Sequence, residues 1–207
     1  MKTLNKLRFF WLMFISVGLA LSVSLYAPRA WAQTAGNEVK SVIDEVMVIL
    51  HNSSLSGATQ QNQRTALVEK ATSRLFDYRE MAKRCLGETW DTLKKNQQEE
   101  FVGLFSRLLR TSYARRLNEI RNAKVVYQPE IVKPEYTEVS IVILRPNDRI
   151  PVSFRLLKEA VGWRVYDVII EGVSIVSNLQ SQFARVIQGS SYQGLRQSLQ
   201  ARVQADY

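Results

Sequence analysis

The 207-residue chain has one cysteine and one histidine, and these two scarcities exclude whole classes of chemistry. Cys85 has no second cysteine to join, so no internal disulfide can form and stability must come from packing. With no histidine near it in sequence, Cys85 reads as a small buried apolar residue rather than a reactive thiol. His51 alone cannot build a His-rich metal site or an ordinary catalytic triad. A G-x-S-x-G elbow, a glycine-rich phosphate loop and Cys/His ligand spacings are all missing, which leaves no catalytic residue, no metal set and no cofactor motif. The carboxylate pairs Asp77 with Glu80 and Asp167 with Glu171 fit capping or ion pairing. Tyr113 and Tyr166 fit core positions with satisfied hydroxyls.

Acidic groups are fewer than basic ones: 28 Lys and Arg face 19 Asp and Glu, a formal charge of +9. The first 32 residues hold four of the basic groups and none of the acidic ones, which leaves +5 for the remainder. That mild excess suits anionic headgroups or an acidic partner surface. The N-terminus has the layout of a secretory signal. Lys2, Lys6 and Arg8 precede a charge-free apolar run from Phe9 to Ala27, and Ala30-Trp31-Ala32 supplies an A-x-A cleavage triplet. The run approaches the ~20 residues that span a bilayer, so an uncleaved anchor is the alternative; Pro28 and the triplet favour cleavage near Ala32. The expected organisation is a signal peptide over 1–32 and one domain over 33–207. No nucleic-acid partner is expected of an exported chain.

Helical periodicity opens that domain. Val39, Val42, Ile43, Val46, Met47 and Leu50 recur on one face, and a small-residue loop over 52–59 precedes a second helix marked by Leu67, Val68, Ala71 and Leu75. A third helix over Tyr78–Leu86 has Asp77 as N-cap, Glu80 as its N3 partner and Gly87 as stop. Asn96 with Glu99 reads as the start of the longest helix, from about Gln97 to Asn122, with Phe101, Phe105, Leu108 or Leu109, Tyr113, Leu117 and Ile120 on its apolar side.

From Lys124 the period changes to alternation. The strands expected are 125–131, in which Pro129 points to an edge position, then 136–145, 150–157 and 162–170, the last three as an antiparallel meander. Ser174 stands ready to cap a helix carrying Ile175, Leu179, Phe183, Val186 and Ile187, and Leu195, Leu199 and Val203 mark a last helix. Helices before and after a run of strands give an α+β class with helices packed on a curved antiparallel sheet.

Apolar side chains on one face of that sheet form the candidate binding surface: Val139, Ile141 and Ile143, then Val152 and Phe154 of the inward set of the next strand. On the strand from Gly162, either Val165, Asp167 and Ile169 or Tyr166, Val168 and Ile170 face inward. An unpaired buried Asp167 costs several kcal/mol, so the expected inward set is Tyr166, Val168 and Ile170. Phe105, Leu108, Tyr113 and Leu179 from the helices are expected to close over it. Periodicity fits a solid core and a cavity equally well.

The block Trp163-Arg164-Val165-Tyr166-Asp167-Val168-Ile169-Ile170-Glu171-Gly172-Val173-Ser174 resembles the signature strand and turn of the MlaC family, the periplasmic phospholipid-binding proteins also called toluene-tolerance proteins. The likeness extends to Phe76-Asp77-Tyr78, Leu86-Gly87 with Trp90, Phe101-Val102 with Phe105 and Tyr113, Ile150-Pro151-Val152 and Gln182-Phe183, or about Val39 to Leu199. Many relatives carry an aromatic-arginine pair where this chain has Leu179-Gln180. The resemblance implies a fold like nuclear transport factor 2, with helices and a curved sheet enclosing an apolar pocket. It also implies a periplasmic carrier that moves phospholipid between an outer-membrane lipoprotein complex and an inner-membrane ABC transporter. A hopanoid is the alternative cargo. An enzyme on the same fold, using Asp167 or Tyr166 as acid or base, is the alternative class.

Overall fold

The first described helix, α1 (Ala35–His51), begins where Thr34 Oγ accepts the N–H of Asn37, and it turns Val39, Val42, Val46 and Leu50 inward at helical spacing. The computed structural model describes residues 34–55, 57–117 and 120–205, so the apolar N-terminal run and its cleavage triplet lie outside the described residues. Two short 3-10 turns, Ser53–Leu55 and Ala58–Gln60, lead into α2 (Gln61–Ser73). The third helix, α3 (Tyr78–Leu86), has the expected bounds: Asp77 accepts the N–H of Glu80, and Gly87 ends the helix at φ 54. That positive φ needs a residue without Cβ.

Where a tight connection was expected, a four-residue helix α4 (Thr89–Thr92) buries Trp90. The long helix α5 (Lys95–Leu117) starts two residues earlier than Asn96 and Glu99 suggest, because the Gln97 side chain turns back to accept the N–H of Lys94. After the strands, Ser174 Oγ accepts the N–H of Ser177 and starts α6 (Ile175–Ser190). This helix runs through Gly189 and stops at Ser191, which sits at φ 88. The last helix, α7 (Tyr192–Ala205), buries Leu195, Leu199 and Val203. Among the described residues no helix is long and apolar enough to cross a membrane.

The sheet runs β1 (Lys124–Tyr127), β3 (Thr137–Arg145), β4 (Asp148–Glu159), β5 (Gly162–Ile170) and β6 (Val173–Ser174) in that spatial order, antiparallel throughout. Pro129 divides the expected first strand, so β2 (Ile131–Val132) pairs separately with the start of β3. Two positive-φ residues, Glu171 and Gly172, fold β6 back on β5.

Two cores form around this sheet. One lies between α1, α2 and one sheet face and includes Val139, Ile141, Val152, Phe154, Leu156 and Val165. The other is built from α3 to α7, around Met81, Trp90, Phe101, Phe105, Phe183 and Leu195. Phe76 packs against both. Its neighbours tie the link between α2 and α3 to β5 through the backbone, Val165 N–H to Leu75 O at 2.8 Å and Asp77 N–H to Val165 O at 2.9 Å. The class is therefore α+β with helices packed on an antiparallel sheet, as the strand and helix periods imply.

Candidate functional site

Register decides which apolar residues share a face. Val139 pairs with Phe154 and Phe154 with Val168; Ile141 pairs with Val152 and Val152 with Ile170; Ile143 pairs with Ile150. The expected strand residues Val139, Ile141, Ile143, Val152, Phe154, Val168 and Ile170 thus form one continuous apolar strip beneath α1 and α2. Burial falls across it: Ile141 is 3% exposed and Val152 7%, Ile170 is half-buried, and the neighbouring Val173 on β6 is 55% exposed. The strip therefore runs from a sealed interior to an open edge.

Strand β5 departs from simple alternation. Asp167 pairs with Arg155 and Val165 with Leu156, which leaves Tyr166 as the extra residue of a bulge. The bulge brings Val165, fully buried, onto the strip together with Val168 and Ile170, three and five residues on. Tyr166 is displaced from the expected inward set. Its ring meets Tyr136 edge-on at 6.3 Å and Arg84 of α3 at 4.1 Å. Burial first of all pushes its phenol above the ordinary value, so it stays protonated at neutral pH.

Asp167 is buried after all, at 3% exposure, and the cost that argued against this is met by partners. Its Oδ1 accepts the N–H of Val176 at 3.1 Å, its Oδ2 accepts the Ser174 hydroxyl at 2.7 Å, and Arg155 Nη1 lies 3.6 Å away. The carboxylate sits at the N-terminus of α6, where the helix dipole favours a negative charge. Both oxygens are taken up in holding helix to strand. Arg155 also stands 3.5 Å from Glu138, so its charge is committed to carboxylates on this face. Arg164 bonds the backbone carbonyl of Trp163.

The helical residues of the expected site do not join the strip. Phe105 and Leu108 on α5 and Leu179 on α6 belong to the second core, with Phe101 stacked on Phe105 and set edge-on to Phe183. Tyr113 falls on α5, but its side chain lies outside the described residues. Val39, Val42, Val46 and Leu50 of α1 face the strip instead, together with Ala35, which the helical spacing does not single out; the sequence marks the other four only as one face of an amphipathic helix. Gln180 lies against Gly87, so the departure at Leu179-Gln180 serves the contact between α3 and α6. Cys85 is buried with Sγ 3.6 Å from Val176 O, and burial pushes its thiol well above the usual range.

A hollow of about 240 Å3 opens where α1 meets the sheet edge, lined by Thr34, Gly36, Asn37, Lys40, Tyr127, Gln128, Glu130 and Val139. Across it Gly36 N–H donates to Glu130 Oε2 and Tyr127 OH to Asp44 Oδ1, each at 2.7 Å. Slight burial works against the charge of Asp44, but hydrogen bonds from Lys40 and Tyr127 outweigh it and hold the carboxyl below its ordinary value. No cluster of three or more His, Cys, Asp or Glu able to hold a metal occurs among the described residues.

What this arrangement can do chemically is bury apolar matter: a wide strip of branched aliphatic and aromatic side chains, open at one edge and covered by an amphipathic helix. Comparison with solved structures finds the same architecture in the phospholipid-binding protein from Ralstonia solanacearum, determined in complex with a phospholipid. The two are 25% identical, superpose with a TM-score of 0.73, and the match covers 83% of this chain and 98% of that one. The MlaC protein family matches residues 40–201, all but the two ends of the described fold. The chain belongs to the MlaC family.

Proposed function

We propose that this protein is a periplasmic phospholipid carrier that shelters acyl chains between the strip and α1. It passes its cargo between an outer-membrane lipoprotein complex and an inner-membrane ABC transporter. The observation that carries the reading is the apolar strip running from sealed core to open edge, Ile141 to Val173. The Ralstonia relative holding a phospholipid supports it. Burying a methylene is worth about 0.8 kcal/mol, so a 16-carbon chain resists exposure to water by roughly 12 kcal/mol. A carrier lowers that barrier without a catalytic group. Burial is non-directional, so chains of differing length are accepted and the headgroup is left outside.

The test is native mass spectrometry on protein purified without detergent, followed by solvent extraction. One phospholipid per chain is the expected result; a polycyclic lipid redirects the cargo, and a protein that neither carries nor takes up lipid overturns the reading. Ile170→Glu is the informative variant. Ile141 and Val152 are so buried that a carboxylate there threatens folding. Ile170 is half-buried, so a glutamate can reach water while spoiling the open end of the strip. The variant is expected to fold and to lose its lipid.

A further inference from the structure

The walls around the strip are fastened in different ways. The link from α2 to α3 is joined to β5 by two backbone hydrogen bonds at Val165, and α6 by the buried carboxylate of Asp167. Helix α1 has neither kind of tie to the sheet. Its polar contacts on this side are the part-buried bond from Gly36 N–H to Glu130 in the loop after β1, the bond from Tyr127 OH to Asp44, and Lys40 4.8 Å over the Tyr127 ring. Its apolar contacts come from Ala35, Val39, Val42, Val46 and Leu50, all buried. The hollow lies along this same seam and reaches Val139, 2% exposed and part of the strip.

We propose that α1 is a gate over the strip, and that Glu130–Gly36 and Asp44–Tyr127 are its latch. This rests on the carrier reading. Apolar contact alone fixes how strongly α1 adheres but not where, because it is non-directional. The two polar contacts, far apart in sequence, select one closed position. Breaking them lets α1 lift from the sheet and exposes Val139 while the second core stays intact. At about 240 Å3 the hollow is below the roughly 300 Å3 of even a small ligand site, so on this side of the sheet, opposite the open β6 edge, an acyl chain enters only as α1 moves away.

The test is lipid transfer with α1 tied down. Gly36→Cys and Glu130→Cys are joined by a short, reducible bismaleimide. A Cβ at residue 36 meets Glu130 Oε2 at 3.1 Å, and the second substitution removes that atom. Cys85, 1% exposed, does not compete for the reagent. The protein is loaded with fluorescent phosphatidylglycerol before linking, and transfer to phosphatidylglycerol–phosphatidylethanolamine vesicles is timed. Linking is expected to slow transfer by at least about tenfold, and reduction to restore it. Tyr127→Phe, which keeps the ring and removes one exposed hydrogen bond, is expected to speed transfer about three- to tenfold at unchanged stoichiometry. A linked protein that transfers at the unlinked rate, or a Tyr127→Phe rate equal to wild type, overturns the gate while leaving the carrier standing. Failure of the wild type to load lipid overturns the carrier, and the gate with it.

Discussion

At the turn between β4 and β5, Glu159 stands beside Asp77, the residue that caps α3. Partial burial, then a hydrogen bond and charge repulsion from Asp77, with Glu80 adding to it, hold the Glu159 carboxyl above its ordinary value of 4.5; Arg164 pulls the other way. A carboxyl with a raised folded pKa is favoured protonated. Its contribution to stability is present below the ordinary value and is lost as pH rises through the folded one. At neutral pH the group therefore opposes folding. Glu159→Gln is expected to raise stability at pH 7, by no more than about 1 kcal/mol for so open a site, and to leave it nearly unchanged at pH 4. Thermal melts at the two pH values check this.

At the scale of elements, the join between β5 and α6 rests on Asp167. Asp167→Ala leaves the Val176 N–H and Arg155 without their carboxylate and is expected to cost about 3 kcal/mol in a urea melt. The folded fraction is expected to keep its lipid, since both carboxylate oxygens face away from the strip into the helix terminus. Loss of lipid from a folded Asp167→Ala protein would instead return Asp167 to the functional site. The caps at Asp77 and Ser174 and the three-strand meander were legible in the sequence, because each is set by residues a few positions apart. The β5 bulge was not. Strict alternation places Val165 and Val168 on opposite faces, and only the one-residue slip against Arg155 and Leu156 puts them on the same one.

At the scale of the molecule, two cores share one sheet, and lipid that binds only the folded chain raises its stability by mass action. At a free lipid concentration a hundred times Kd the gain is about 2.7 kcal/mol, which for a chain of this length raises Tm by roughly 5–10 °C. Calorimetry on delipidated and reloaded protein is expected to show that gap. The sequence by itself determined the caps at Asp77 and Ser174, the α+β class, the strand residues of the strip other than Val165 and, through the block from Trp163 to Ser174, the family. These are properties of local period and of residue type. Tertiary structure alone decided that Phe105, Leu108 and Leu179 pack in a second core, that Tyr166 leaves the strip, and that α1 supplies its cover. An apolar helix face is the same in sequence whichever surface it meets. The choice between two cores is made by chain connections and by buried ties such as Asp167 to Val176, which join residues only after the chain has folded.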